Sequence, residues 1–226
     1  MSPRFPADLR PASAFACYHR RVRERAPWLQ TVVLIALIPI LYLRARIRVE
    51  GRENIPDGGY VVAANHPSVL DPFFVALAVR RRIRFMGKSD LFTARWGRLL
   101  ARLGGFPVRR GVWDTDAFET AEQTVRHGRV VAMFPEGGVS AAGGDREPRP
   151  GIGQVAHRTG ATVVPLHITG TRDLYRPWTR PRIRIAIGQP LRVEHDRAPT
   201  RERNRRTAEQ ILAAVVRQGG GRAYSA

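Results

Sequence analysis

Cysteine and lysine are almost missing from this chain, and each shortage narrows what the protein can be. Cys17 is the only cysteine, so the chain can form neither an internal disulfide nor a cysteine-rich zinc site. The lack of disulfides indicates a reducing, cytosolic environment. Lys88 is the single lysine among 38 basic residues, and the others are arginines. A lysine kept in such a chain suggests a position that needs a compact point charge.

Acidic residues are also few. The chain has 19 of them against 38 basic residues, which gives a formal net charge of +19 at pH 7. A compositional preference for arginine explains most of this excess, but the charge also favours anionic partners such as a membrane surface, phosphorylated substrates or an acidic carrier protein. The arginines are scattered through the whole chain and form no recognition helix, so we predict no nucleic-acid partner.

A long hydrophobic run is missing as well. The longest, from Pro27 to Leu43, would reach about 25 Å as a helix, short of the ~30 Å hydrocarbon core of a bilayer. Pro39 would kink it, and arginine clusters flank both ends. We predict a helix or helical hairpin that dips into one leaflet at the cytoplasmic face of an anionic membrane. A single short span is the second interpretation, and a buried core helix is the third.

The chain is long enough for one α/β domain with a sizeable core. We predict an N-terminal basic and hydrophobic membrane-associating segment over 1–45, irregular or surface-lying at 1–26, and a folded domain over 46–226. Runs of β-branched residues predict strands at 46–51, 60–66, 82–87, 129–137, 162–170 and 182–188. Helical patterns cover 72–80, 90–103, 114–127 and 200–217, and 139–150 is a loop. This alternation predicts an α/β fold with a mostly parallel central sheet flanked by helices.

Parallel sheets bind their ligands where strands end in loops. Three unusual segments follow predicted strands or helices in this way: NHPSVLD at 65–71, GGFPVRRG at 104–111 and FPEGG at 134–138. The chemistry of the protein is therefore expected there.

NHPSVLD brings a histidine and an aspartate together at a strand-to-helix junction. Asp71, followed by Pro72, is predicted to cap the next helix, and the short connection would let its carboxylate reach back to the His66 ring. An aspartate so placed fixes the imidazole tautomer and stabilises the imidazolium, which would make His66 a general base for a bound hydroxyl. The plainer interpretation makes Asp71 a simple cap and His66 a turn residue, since the spacing alone is a weak motif.

The chain offers no convincing nucleophile of its own. Ser140 lies in GVSAA, which lacks the second glycine of a nucleophile elbow, so a serine hydrolase is a remote alternative. GIGQVA at 151–156 imitates a dinucleotide-binding loop but follows no predicted strand. The sequence contains no P-loop and no pair of histidines at metal-ligand spacing. We predict that the base acts directly on a substrate hydroxyl, without a metal or a cofactor.

The other two segments supply candidate substrate contacts. Glu136 ends an apolar strand in a turn whose glycines, Gly137 and Gly138, leave backbone amides open to an anion. Arg109 and Arg110 follow two glycines and form a candidate phosphate clamp. The plainer interpretation is a tight turn with an exposed glutamate and two members of a general arginine excess.

Together these motifs resemble the glycerolipid acyltransferase family, whose best-known members are lysophosphatidate acyltransferases. His66 and Asp71 match the family's His-x4-Asp motif. GKSD and FPVRRG match the lysine-containing segment that ends in Phe-Pro-Val-x-Arg, with Arg110 at the family's arginine position. FPEG at 134–137 matches Phe-Pro-Glu-Gly, and VPLHITG at 164–170 matches Val-Pro-x-x-Ile-x-Gly. The four motifs occur in order over about 46–192, which is far more specific than any one of them.

The resemblance implies that 46–226 is an acyltransferase catalytic domain. It would move a fatty acyl group from acyl-coenzyme A or acyl carrier protein to the free glycerol hydroxyl of a lysophospholipid, most directly lysophosphatidate to phosphatidate in phospholipid biosynthesis. His66 would be the base and Asp71 its orienter, with no metal and no acyl-enzyme. The implied substrate contacts are Lys88, Arg109, Arg110, Glu136, Gly137 and Gly138.

The chain departs from the family pattern at one point. Phe-Pro-Glu-Gly usually continues Thr-Arg-Ser, but here the sequence reads Gly138-Val139-Ser140, so an arginine commonly assigned to the acceptor phosphate is missing. Either another arginine replaces it, or the acceptor is a different lysolipid or a glycolipid. A non-catalytic basic membrane-binding protein is the alternative of a different class.

Overall fold

In the part of the chain that the structure describes, seven β-strands form one sheet with helices on both faces. The computed structural model describes residues 8, 10–93, 95–139 and 147–220. The strands are β1 Arg46–Glu50, β2 Tyr60–Ala64, β3 Ile83–Lys88, β4 Gly105–Val108, β5 Val130–Met133, β6 Val163–Thr169 and β7 Arg182–Ile187. The α-helices are α1 Ala16–Glu24, α2 Trp28–Arg44, α3 Asp71–Val79, α4 Asp90–Thr93, α5 Gly97–Arg102, α6 Thr115–Arg126, α7 Gly151–Thr159 and α8 Arg201–Gln218. Short 3₁₀ turns occupy Ala12–Phe15, Arg52–Asn54 and Thr171–Tyr175.

The strand order is β1-β7-β6-β2-β5-β3-β4, and the neighbouring pairs are parallel except for β6 with β7. The predicted α/β fold with a mostly parallel sheet is therefore confirmed. Because β6, β2, β5, β3 and β4 run in one direction, their carboxyl ends meet along one border of the sheet, which we call the carboxyl edge. The strands β1 and β7 run the opposite way and begin at this edge.

Two apolar layers hold the helices against the sheet. On one face, α2 and α3 cover the central strands and bury Leu41, Phe74 and Leu77. On the other face, α6, α7 and α8 bury side chains such as Ala121 and Ile152. Helix α3 is buried along most of its length, because its apolar residues face the sheet on one side and α2 on the other. The start of α3, where Asp71 lies, is therefore fixed by the core.

The sequence does not predict β4, which lies inside GGFPVRRG at 104–111, a segment outside all the predicted strands. Two glycines and Pro107 argue against a central strand. In the structure, β4 is the last strand of the order and pairs with β3. A proline is tolerated on such an edge strand because its missing N–H can face away from the neighbouring strand.

Three helical predictions are wrong in detail. Residues 1–26 are not irregular throughout, since α1 follows the first 3₁₀ turn and the two bury Phe15, His19 and Val22 at a helical spacing. The helix predicted at 90–103 is divided into α4 and α5, and Gly97 allows the close approach between them. Asp71 is the first residue of α3 and makes no capping hydrogen bond.

The hydrophobic stretch forms α2, which packs on the sheet with one side only. The buried Gln30 accepts from the Ile83 N–H at 2.9 Å and donates to the Leu103 carbonyl at 2.9 Å, and Leu41 lies in the core. The exposed apolar residues of the same helix are Trp28, Val32, Ile35, Ile40, Tyr42 and Leu43. No single described helix is long and apolar enough to cross a membrane, although the pair Ala12–Glu24 and Trp28–Arg44, bent by 75°, passes that test together. Insertion into one leaflet therefore stays a prediction.

The histidine in β6 should make folding stability depend on pH. His167 is 4% exposed, and burial, together with Arg184, lowers its pKa from 6.5 to about 4. Between these values the unfolded chain binds a proton that the folded chain does not, so stability falls as the pH drops from about 6.5 towards 4. We expect the melting temperature to fall over this range, and to fall less in the His167→Gln variant. The exposed His127→Gln variant should keep the wild-type slope, and equal slopes for wild type and His167→Gln would contradict the prediction.

Candidate active site

The carboxyl edge collects most of the predicted site residues. His66 follows β2, Glu136 follows β5, Lys88 ends β3 and Arg109 follows β4. These four strands are neighbours in the sheet, in the order β2-β5-β3-β4. Adjacent strands lie about 4.8 Å apart, so the four positions span about 14 Å along the edge. Segments that are far apart in the sequence therefore line one continuous border.

His66 and Asp71 form the predicted pair at this border. Nδ1 of His66 lies 2.9 Å from Oδ2 of Asp71, which is fully buried, while the His66 side chain is 14% exposed. A carboxylate only accepts hydrogen bonds, so Nδ1 carries the proton and the ring's lone pair lies on Nε2. This arrangement is that of a general base held in one tautomer by an aspartate.

Three donors converge on the Asp71 carboxylate. Besides His66, the backbone N–H of Ser68 donates to Oδ2 at 2.6 Å, and the hydroxyl of Thr171 donates to Oδ1 at 2.9 Å. Thr171 is completely buried and lies just after β6, 100 residues further along the chain. Both carboxylate oxygens are thus fixed, and the carboxylate is oriented towards His66 by the fold.

Two further residues fix the position of His66. The ring of Phe134 stacks on the imidazole, with 4.0 Å between centroids and 18° between planes. The side chain of the preceding residue, Asn65, is buried, and its amide both donates to the Ile168 carbonyl at 2.8 Å and accepts from the Ile168 N–H at 2.6 Å. This amide continues the pairing between β2 and β6 beyond the end of the strand, so the backbone that carries His66 is held in place.

The FPEGG turn carries a buried carboxylate. Glu136 is 3% exposed and lies two residues after the Phe134 ring that stacks on His66. Gly137 has a φ of 72°, a left-handed conformation that favours glycine, and its N–H donates to the Phe134 carbonyl at 2.9 Å. Gly138 is half-buried, and Val139 beside it is exposed. Ser140, the weak candidate nucleophile, lies outside the described residues.

An arginine from the far side of the following loop lies across this turn. A Cβ placed on Gly137 would be 3.0 Å from Cγ and 3.1 Å from Nε of Arg149. The Arg149 N–H also donates to the Pro135 carbonyl at 2.8 Å. Arg149 therefore occupies the space that a side chain on Gly137 would fill.

The candidate phosphate clamp is engaged by groups of the chain itself. Arg109 contacts Oδ1 of Asp114 at 3.2 Å and the carbonyl of Arg10 at 3.2 Å. Lys88 pairs with Asp90. The backbone carbonyl of Arg110 accepts from the N–H of Asp8 at 2.8 Å, so N-terminal residues contact this loop as well.

The five other histidines have local roles or lie away from this border. His19 bonds to Thr120, His127 to the Gln123 carbonyl, and His157 to Thr207 and the Glu194 carbonyl. His167 is buried within β6. His195 lines a cavity of about 410 Å³, together with arginines at the ends of α6 and α7. Within the described ranges, no three His, Cys, Asp or Glu side chains meet as a metal site would require.

Sequence reasoning misses Thr171, Asn65, Phe134 and Arg149. Asn65 and Phe134 are the first residues of NHPSVLD and FPEGG, and that membership is the signal that could have marked them. Thr171 and Arg149 reach the site through the order of the strands and the course of a loop, so nothing in their local sequence distinguishes them.

Comparison with known proteins shows the family of this chain. The family model described as Acyltransferase matches residues 46–169, which is more than half of the chain. This chain belongs to the acyltransferase family.

Individual relatives point the same way. The chain is 30% identical over 136 residues to the chloroplastic 1-acyl-sn-glycerol-3-phosphate acyltransferase LPAT1 of Arabidopsis thaliana, covering 58% of this chain and 38% of that protein. It is 26% identical over 134 residues to the 1-acyl-sn-glycerol-3-phosphate acyltransferase of Borreliella burgdorferi, covering 58% of this chain and 54% of that protein. The chain thus spans about two-fifths to half of the length of these curated relatives.

A solved structure shares the fold. The crystal structure of the 1-acyl-sn-glycerophosphate acyltransferase PlsC from Thermotoga maritima aligns with a TM-score of 0.64 and 23% identity, over 88% of this chain and 82% of that chain. At this identity the likeness concerns the arrangement of strands and helices.

Proposed function

We propose that this protein transfers a fatty acyl group from a thioester donor to the free glycerol hydroxyl of a lysophospholipid. The donor is acyl-coenzyme A or acyl carrier protein, and the preferred acceptor is lysophosphatidate, which gives phosphatidate. The observation that carries the proposal is the His66–Asp71 pair, whose carboxylate is fixed by Ser68 and Thr171 at the carboxyl edge. By their names, the relatives above act on 1-acyl-sn-glycerol-3-phosphate, which supports this choice of acceptor.

The reaction needs one base and no nucleophile from the protein. Nε2 of His66 takes the proton of the acceptor hydroxyl as its oxygen attacks the thioester carbonyl. Asp71 stabilises the imidazolium that forms. The tetrahedral intermediate then breaks its carbon–sulfur bond, and the leaving thiolate takes the proton from the imidazolium. The products are an ester and a free thiol, so neither a metal nor a cofactor is required.

The candidate contacts divide between the two substrates by their distance from His66. Glu136, Gly137 and Gly138 follow the strand next to β2 and contact the acceptor near its reacting hydroxyl. Lys88, Arg109 and Arg110 end or follow β3 and β4, about 10 and 14 Å from β2. Because these basic residues lie furthest along the edge from His66, we assign them to the anionic groups of the donor.

Arg149 binds the acceptor phosphate in place of the arginine that is missing from the FPEGG motif. Its side chain crosses the turn at Gly137, two residues before Val139, where the family has arginine. With Arg149 on the acceptor phosphate, Lys88, Arg109 and Arg110 are assigned to the donor. The acceptor can therefore be lysophosphatidate although the motif is incomplete.

The Arg149→Gln variant should raise KM for lysophosphatidate about 10–100-fold, with a smaller change in kcat. A hydrogen bond to a charged group contributes about 1.5–3 kcal/mol, and this contact is made in the ground state as well as in the transition state. Initial rates over a range of acceptor concentrations measure the change. Arg197→Gln, an exposed arginine away from the carboxyl edge, is the matched control. An unchanged KM for Arg149→Gln would remove Arg149 from the acceptor site.

The protein works at the cytoplasmic face of the membrane, to which it attaches from one side through α2. The exposed side of α2 carries six large apolar residues, including Trp28, Ile35 and Leu43, while its other side packs on the sheet. Arginines precede and follow the helix and suit anionic headgroups. This attachment brings the site to the lipid acceptor.

The direct test is thioester consumption by the purified protein in vesicles. Acyl-coenzyme A and acyl carrier protein donors are each supplied with lysophosphatidate and with other lysophospholipids. Turnover that depends on lysophosphatidate is the expected result. Turnover on another lysolipid or glycolipid alone would keep the chemistry and change the acceptor. If no donor and acceptor pair gives turnover while the protein still binds vesicles, a non-catalytic membrane-binding role would replace the proposal.

A further inference from the structure

The segment between β6 and β7 exposes two aromatic side chains next to the candidate site. It forms the 3₁₀ turn Thr171–Tyr175 and returns to β7 through six consecutive exposed residues, 175–180, which we call the 175–180 tip. Tyr175 is 59% exposed, and Trp178 is 97% exposed. Trp178 also has a φ of 67°, which a bulky residue seldom adopts. The indole of Trp178 is therefore almost completely exposed to solvent and contributes no packing to the fold.

The base of this segment is attached to residues 65–71, which carry His66 and Asp71 and which we call the catalytic loop. The Thr171 hydroxyl donates to Asp71, and the hydroxyls of Tyr175 and Ser68 lie 3.0 Å apart. The 175–180 tip therefore has a fixed position relative to His66, on the side of the site where β6 ends.

The 175–180 tip is also continuous with the exposed side of α2. The Arg180 guanidinium donates to the Tyr42 carbonyl at 3.3 Å, in the last turn of that helix. Tyr42 and Leu43 are themselves exposed there. The exposed apolar side chains of Tyr175, Trp178 and the end of α2 therefore lie on the same side of the carboxyl edge, and we call them together the apolar rim.

Charge indicates what covers this rim. Residues 171–182 contain four arginines and one acidic residue, Asp173. Tryptophan and tyrosine favour the interface between lipid and water, and arginines beside them favour anionic headgroups. This combination of exposed indole, phenol and positive charge fits the surface of an anionic bilayer.

We propose that the 175–180 tip is a second membrane contact, in which Trp178 inserts at the headgroup level and holds the mouth of the site against the bilayer. The role in catalysis rests on the proposed function, because it matters only if the acceptor is a lipid. With both α2 and Trp178 in contact with the bilayer, a lysolipid reaches His66 without leaving the boundary between membrane and water.

The first experiment follows the emission of Trp178 alone. A variant with Trp28→Phe, Trp96→Phe and Trp113→Phe keeps this single tryptophan. With vesicles of phosphatidylcholine and phosphatidylglycerol, we expect a blue shift and quenching by brominated lipid. Emission that stays unshifted and unquenched while the protein sediments with the vesicles would overturn the proposal.

The second experiment measures vesicle affinity by co-sedimentation. Trp178→Ala should weaken binding about tenfold, since burying part of an aromatic side chain is worth about one such factor. Trp113→Ala is the matched control, because Trp113 is 58% exposed but packs on Phe118 of α6, on the opposite face of the sheet from α2. Ile35→Glu, on the exposed side of α2, should weaken binding as well. Equal vesicle affinities for Trp178→Ala and wild type would overturn the proposal. If the wild type self-associates without lipid and Trp178→Ala does not, the rim would instead be a contact between two copies of the chain.

A third experiment, an acyl-transfer assay, distinguishes a failure of the membrane contact from a failure of the proposed function. Trp178→Ala should lose activity on acceptors in vesicles and keep it on a water-soluble short-chain lysolipid. If the wild type turns over no acceptor, the proposed function fails, while the emission of Trp178 still decides whether the tip contacts lipid.

Discussion

Replacing His66 by alanine should lower the rate of acyl transfer about 10²–10⁴-fold, the range that a positioned general base contributes. The reason is geometric. With Nδ1 bonded to Asp71, Nε2 is the nitrogen that receives the proton of the acceptor hydroxyl. Without it, the hydroxyl must attack while still protonated. Thioester consumption at saturating donor and acceptor measures the loss, which should appear in kcat.

This variant should remain folded and bound to vesicles. His66 lies at the border of the sheet and not within either apolar layer, so its truncation removes the stack on Phe134 and the bond to Asp71 but leaves the core intact. Circular dichroism and co-sedimentation provide the check. His127→Ala, at an exposed site on the end of α6, is the matched control and should keep full activity. If His66→Ala kept more than a tenth of the wild-type rate, the base would lie elsewhere.

The pair of residues in this prediction can be identified from the sequence because both lie in one short loop. Only six residues separate the end of β2 from the start of α3, so the first residue of the helix, Asp71, lies close to His66. The sequence also shows which segments end strands, and a parallel sheet brings such ends to one border. The general location of the site therefore follows from local patterns.

The order of the strands does not follow from local patterns. His66 and Glu136 become neighbours because β5 pairs with β2, and Thr171 reaches Asp71 because β6 pairs with β2 on the other side. These pairings join parts of the chain that are dozens of residues apart, and they depend on the packing of complete layers. Arg149 is a similar case, because its side chain meets Gly137 only when the chain comes back to the FPEGG turn twelve residues later.

The errors have a common physical origin. The local sequence argues against a strand at Pro107 and against a helix before residue 26, where prolines and mutually repelling arginines cluster. In both places tertiary contacts override it, because β4 completes the edge of the sheet and α1 buries Val22 and His19 against it. At Asp71 the error is of another kind. Aspartate is a favourable helix cap, but here its carboxylate bonds to a histidine instead of capping the helix.

The Asp71→Asn variant should lower kcat about 10²–10³-fold and leave KM for the donor nearly unchanged. The Ser68 N–H can only donate, so the amide oxygen of asparagine must stay where Oδ2 is now, and it can still accept from His66. The amide nitrogen then faces the Thr171 hydroxyl, which can accept. The tautomer of His66 is therefore kept, and the loss comes from the missing negative charge beside the imidazolium.

Two comparisons test this explanation. Thr171→Val removes one of the three donors to Asp71 and keeps its charge, so its kcat should fall only about 2–10-fold, and Thr171→Ser should restore it. The double variant His66→Ala with Asp71→Asn should be no slower than His66→Ala alone, because the aspartate acts through the histidine. Additive losses in the double variant would show that Asp71 contributes to catalysis independently of His66. A loss in Thr171→Val as large as that in Asp71→Asn would mean that the orientation of the carboxylate, and not its charge, limits the reaction.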